Sequence, residues 1–310
     1  RDGWFGTNAI LDGPGSWLWT GGSIRGSLTV PVGSNLRMPD STSDRYCADA
    51  CVLDIYGLVT WEGGTPFRSQ TRAGSPFMIH NHDGGMFRIT ANGNLFSLHF
   101  GNSKPVFGND PGALVEKTAW DGVNRWNAFH LEQRGEISVE TGQLSFTNNR
   151  VNLYSGSTMT GTGGLRFNTA LYLNGRIQTS AAIEMTGGFW SGTGADSEIE
   201  PAAWAGPGLI SWVEGSQYGE ITMEMGTSSQ LIGSEEKFFY DGAELINEGN
   251  LTWTGGRCRA ETRSGSSPAI IRNRGEFTAA SPEGMTIWYG NTTSRFINEG
   301  ALHPSGQMSL

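Results

Sequence analysis

The stretch Gly57-Leu-Val-Thr-Trp61-Glu-Gly63-Gly64 recurs without gaps as Gly15-Ser-Trp-Leu-Trp19-Thr-Gly21-Gly22 and as Gly249-Asn-Leu-Thr-Trp253-Thr-Gly255-Gly256. A partial copy, Gly188-Phe-Trp190-Ser-Gly192, keeps the Trp-x-Gly core. In each full copy a glycine opens a short segment, an apolar residue follows two positions on, Trp follows at four, and Gly-Gly closes it. Strand side chains alternate between faces, so positions two and four share one face. The closing pair gives the backbone freedom to turn a corner. Trp19, Trp61 and Trp253 are therefore expected to face a core, each at the end of a short strand and beside a turn.

A second motif interleaves with the first. Leu245-Ile-Asn247-Glu-Gly249-Asn-Leu251, Ile270-Ile-Arg-Asn273-Arg-Gly275-Glu-Phe277 and Phe296-Ile-Asn298-Glu-Gly300-Ala-Leu302 all read apolar, Asn, x, Gly, x, apolar. Their asparagines stand 26 and 25 positions apart (273 − 247 and 298 − 273). Looser copies are Leu131-Glu-Gln133-Arg-Gly135-Glu-Ile137, Leu173-Asn-Gly175-Arg-Ile177 and Tyr218-Gly219-Glu-Ile221. One such unit cannot bury its apolar positions alone, so it must stack on its neighbours. The expected fold is all-β, a single elongated parallel β-solenoid (β-helix) with coils of about 20–26 residues and inserted loops. Asn247, Asn273 and Asn298 are expected to stack their amides from rung to rung, each donating to one neighbour and accepting from the other. Gly249, Gly275 and Gly300 are expected to supply φ > 0 at the bend.

Composition agrees with this reading. Glycine contributes 46 of 310 residues, about twice the usual ~7% share, with no collagen triplet. No window shows a sustained helical period flanked by caps. The formal net charge of −9 comes without a basic stripe, which argues against nucleic acid as a partner. No apolar run approaches the ~18 residues of a spanning helix, so no membrane span is expected.

The chain reads as one domain over 1–310, decorated by loops near 37–54, 102–128 and 195–208. Cys47 and Cys51 fall in the first loop, and the pair reads as a short disulfide, with two free thiols as the alternative. Cys258 stands alone as a buried small residue. The sequons Asn250-Leu-Thr and Asn291-Thr-Thr are compatible with secretion. The repeats run almost to both ends without an obvious cap. The expectation is that further repeats of a longer chain continue the stack, or that the edges meet other copies of this chain.

The Trp-Thr-Gly-Gly corners, the Asn-Glu-Gly corners and the phrase Gly21-Gly-Ser-Ile-Arg-Gly-Ser-Leu-Thr-Val-Pro-Val-Gly-Ser-Asn-Leu36 resemble the Gly-rich repeats of bacterial surface and secreted β-helix proteins. Autotransporter passengers and haemagglutinin-like adhesins are of this type, and the resemblance covers about two-thirds of the chain. It implies a secreted or cell-surface protein with a structural or adhesive role, assembling into fibres or a surface layer. No catalytic motif of the family is matched, and no cofactor or metal is expected.

A carbohydrate-binding or polysaccharide-cleaving β-helix is the rival reading. Its best local signal is Ile79-His80-Asn-His82-Asp83. His80 and His82 would project to one strand face with Asp83 at the following turn, as an acid/base pair or a two-histidine metal site. Asn81 between them has the look of a corner residue, which favours plain exposed corner histidines. For binding to surface glycans or protein, Trp120, Asp121, Arg125 and Trp126 in the 102–128 stretch offer stacking rings beside charges. The alternative is that both tryptophans tuck that stretch back onto the solenoid.

Overall fold

Alternating apolar residues and turn glycines give short strands and little else. The computed structural model describes residues 4–5, 8–63, 66–71, 75–91, 93–101, 104–192, 201–261, 267–281, 285–289 and 294–305. These form a parallel β-solenoid of about 11 turns, and no helix occurs among them, so none is long and apolar enough to cross a membrane. The chain divides into two compact units. One holds residues 1–151 with 157–164, the other 152–156 with 165–310.

In the first unit, Gly15–Leu18, Ser34–Met38, Leu58–Trp61, Met86–Ile89, Leu114–Lys117, Glu136–Val139 and Thr158–Thr160 pair in that order as one parallel sheet. Two strand segments on the other sheet complete each typical coil, as Phe67–Thr71 and Met78–Asn81 do. The pairings Gly15 with Ser34 and Met86 with Leu114 set coils of 19 and 28 residues (34 − 15 and 114 − 86). The interior is a run of aromatic rings from successive coils. Phe107 lies 4.9 Å from Trp126, which lies 5.4 Å from Phe146.

The second unit repeats the plan. Glu220–Met223, Glu244–Asn247, Ile270–Asn273 and Arg295–Asn298 stack in register, with Asn247, Asn273 and Asn298 directly paired. The asparagine spacing in the sequence is therefore the coil length. Trp190, Trp212 and Phe239 form its aromatic interior at 5.1 Å centroid spacing.

The amides stack as expected. Asn247 Nδ2 donates to Asn273 Oδ1 at 2.7 Å and to Glu276 O at 2.9 Å. Asn273 Nδ2 repeats this toward Asn298 Oδ1 at 2.7 Å and Ala301 O at 2.8 Å. The first unit has its own ladder, in which Asn81 donates to Asn109 at 2.8 Å and Asn109 to Gln133 at 3.1 Å. Each ladder starts on an Oδ1 with no partner among the described residues, because Ile55 and Met223 occupy the preceding positions. Buried amides left unpaired would cost about 1–3 kcal/mol apiece, so a shared ladder is the economical arrangement.

The glycines do two different jobs. Gly22, Gly63 and Gly256 of the closing Gly-Gly pairs stand at positive φ, Gly256 at +73°. Gly249, Gly275 and Gly300, expected at φ > 0, are not in that region. Their constraint is space: a Cβ on Gly275 would collide with the backbone of Glu248 and Gly249 in the coil below. Corner strands pass so close that only a hydrogen fits.

Two further expectations are corrected, those for Trp17 and for the 102–128 stretch. Trp19, Trp61 and Trp253 are buried, but the motif copies are not equivalent. The Leu58–Trp61 strand belongs to the smaller sheet and Asn250–Trp253 to the larger, so the device sits on different sides of the coil. Trp17, at the apolar position two, is 43% exposed, because its strand pairs with Ser34–Met38 and no other described strand. The 102–128 stretch is not a break. It carries Val106–Asn109, Leu114–Lys117 and Val123–Asn127 as regular rungs. Asn109 serves as a ladder corner there, followed by Asp110-Pro111-Gly112 instead of the usual x-Gly.

Candidate functional site

Three places carry chemistry beyond the core. The first is the pair of open rungs. In the second unit Arg295–Asn298 and Ala301–Pro304 pair with one strand each among the described residues, and their side chains are exposed or half-buried. Asn298 accepts from Asn273 and turns its Nδ2 back to Gly300 O at 3.0 Å, where a further amide would otherwise stand. In the first unit every residue of Gly15–Leu18 is exposed, Leu18 by 61%, as is Ile10 by 65%.

The second place is the histidine corner. His80 lies on Met78–Asn81, directly paired with Asp54 of Arg45–Ile55. Asn81 turns inward as a ladder amide, so His80 and His82 both turn outward, as the sequence suggested. His82 Nε2 meets Asp54 Oδ1 at 2.8 Å, and its Nδ1 faces Asp110 Oδ2 at 3.3 Å. His80 Nδ1 is 3.8 Å from the same Asp54 oxygen. Tyr56 stacks on the His82 ring at 4.3 Å and 7°. Asp83 does not join them: its carboxyl lies against Gly112 in the next coil. The carboxylates that do meet the histidines, Asp54 and Asp110, come from the coils on either side.

The third place is the surface around Trp120. Trp120 is 62% exposed and held at φ +68°. Its carbonyl accepts from buried Lys117 Nζ at 2.6 Å and from Thr141 Oγ1 at 3.1 Å. Burial lowers the Lys117 pKa, against a pull upward from Asp121. Asp121 and Arg125 are exposed beside it. Trp126, grouped with them in the sequence reading, is fully buried among Phe87, Phe107 and Phe146. Strand alternation sends Arg125 outward and Trp126 inward.

The cysteines lie in the interior. Cys47 and Cys51 sit on the long strand Arg45–Ile55, where a bulge with Ala50 at φ +54° turns both inward. They are free thiols in this structure, hydrogen-bonded to each other, and burial pushes the Cys47 thiol well up. Cys258 is pushed up to about 12 by burial, against the opposing pull of Lys237. A free thiol ionises near pH ~8.5 when unfolded. This contribution to stability is thus complete below about pH 8.5 and is lost as pH rises through about 12. The expected outcome is a melting temperature that falls on that alkaline limb, and less steeply in Cys258→Ala. A thiol reagent at pH 8 should leave all three cysteines untouched until the protein unfolds. No family model, curated protein or solved structure matches this chain.

Proposed function

We propose that this chain is an extracellular structural or adhesive β-solenoid of the Gly-rich surface type, in which the open rung of one copy pairs with that of the next. The observation that carries this reading is the last ladder rung. Arg295–Asn298 forms a strand edge with no second strand partner among the described residues, carrying the same registration marks that align Asn247 with Asn273. Native sheets ordinarily blunt such an edge with inward-pointing charge, proline or a cover. Here Pro304 ends the second edge strand, while the inward positions Phe296, Asn298 and Leu302 carry no charge and fit another coil. Head-to-tail pairing of unlike edges gives open filaments and not closed dimers.

Electron microscopy and light scattering against concentration test this. Regular filaments or a mass that climbs with concentration are expected, and Leu302→Lys, which aims a charge at an arriving coil, should abolish both. A strict monomer at every concentration overturns the proposal.

A second reading has its own observation. Tyr172, Phe189, Tyr218 and Tyr240 line up across successive coils of the second unit at 5.5, 5.5 and 4.9 Å, all partly exposed. Rows of rings with one wet face suit stacking on sugars. Polysaccharide binding that weakens in Tyr218→Ala would favour a glycan-binding role.

A further inference from the structure

The histidine corner brings together side chains able to hold a metal ion. Asp54, His80 and His82 each offer one donor atom, and these lie within 4.8 Å of one another. Ligands at ~2.0–2.1 Å around a tetrahedral ion stand about 3.3 Å apart. The Nε2–Oδ1 distance of 2.8 Å for His82 and Asp54 and the 3.8 Å for His80 and Asp54 bracket that value. Small side-chain rotations therefore suffice to admit an ion.

We propose that Asp54 Oδ1, His80 Nδ1 and His82 Nε2 bind a divalent first-row transition ion of the zinc, cobalt or nickel class, with Asp110 as the orienting carboxylate. Two imidazoles and one carboxylate suit these ions, whereas calcium and magnesium take all-oxygen sets. The second feature of a built site is the group behind the ligand. A metal-bound histidine typically gives its other N–H to a carboxylate, which fixes tautomer and ring orientation. Asp110 Oδ2 stands 3.3 Å from His82 Nδ1, and Tyr56 clamps the same ring face.

The next strand places Gly108 directly beside His80. The ligand side chains are 23–35% exposed, so the remaining position is open to water. Asp54 and the two histidines belong to successive coils, so the ion clips one coil to the next. Without an ion the same contacts are a histidine hydrogen-bonded between two carboxylates, and the experiment distinguishes the two.

Tag-free protein is titrated with Zn²⁺ by calorimetry and with Co²⁺ by visible absorption. The expected result is saturable one-to-one binding that is lost on acidification, as ligand histidines protonate. Mg²⁺ and Ca²⁺ in excess should not compete. His80→Ala and His82→Ala should each weaken binding by at least about 100-fold, and Asp54→Ala comparably, since three ligands leave none to spare. Asp110→Asn should keep the one-to-one stoichiometry and weaken binding about 10–100-fold, the usual loss for an outer-shell partner. Circular dichroism of each variant verifies that it folds. No saturable binding, or binding unchanged by His82→Ala in a folded variant, overturns the proposal. Loss in the histidine variants with no effect of Asp54→Ala or Asp110→Asn overturns this ligand set.

Discussion

Trp126→Ala is expected to lower stability by about 3–5 kcal/mol, the usual cost of emptying a large aromatic site in a packed interior. The residue is fully buried, with Phe87, Phe107 and Phe146 around it. Phe146 is the direct strand partner of Trp126, while Phe87 and Phe107 stand on other strands held in their own parallel ladders, so the rings cannot collapse into the void. Urea unfolding followed by circular dichroism should show the midpoint shift. Trp120→Ala, only six positions away, should stay within about 0.5 kcal/mol because its ring is in solvent. Similar losses in the two variants would mean that Trp126 does not face the core.

Asn273 carries the second large effect. Asn273→Leu removes the middle of a three-member ladder, leaving the Ala301 carbonyl without its side-chain donor and Asn247 Nδ2 with only Glu276 O. A cost of about 2–3 kcal/mol is expected, set by the buried groups that lose partners. Asn273→Asp gives a sharper result. The buried carboxyl would face Asn298 Oδ1 and Ala301 O, both acceptors, so its folded pKa rises. A raised carboxyl stabilises the fold below the unfolded value of ~3.9 and loses that contribution as pH climbs through the folded one. The aspartate variant should therefore be weakest at neutral pH and approach the parent toward pH 4. Thermal melts across that range check the sign, and a variant insensitive to pH would show that position 273 is wet.

Much of this was legible in the sequence for a physical reason. Trp61 and Trp253 bury, and Asn247, Asn273 and Asn298 align, because a solenoid repeats the same local problem every coil and solves it with the same residues. The side of the coil was not legible. All corners need a close backbone approach and an inward apolar residue, so one eight-residue device fits more than one of them. Trp126 follows the reading in which it tucks inward and Trp120 does not, because alternation along Val123–Asn127 sends Arg125 out and the Trp126 ring in. The partners of His82 were hidden by sequence distance. Asp54 is 26 positions before His80 (80 − 54), one coil, and Asp110 is 28 after His82 (110 − 82), one longer coil. The coil period alone pairs His80 with Asp54; the sequence-adjacent Asp83 was the wrong carboxylate.

The two amide ladders share one more property. Asn81, Asn109, Asn247 and Asn273 all donate forward, toward the residue one coil later in the chain. Each row is therefore a set of small dipoles with a common sense, so its two ends differ in kind. A strand arriving at Asn298 must bring an acceptor, whereas the other end of that row, Asn247 Oδ1, is already covered inside the stack by the Met223 rung. Such a ladder rejects a partner presented in the reverse sense, and any polymer built on it would have a head and a tail and could grow differently at each.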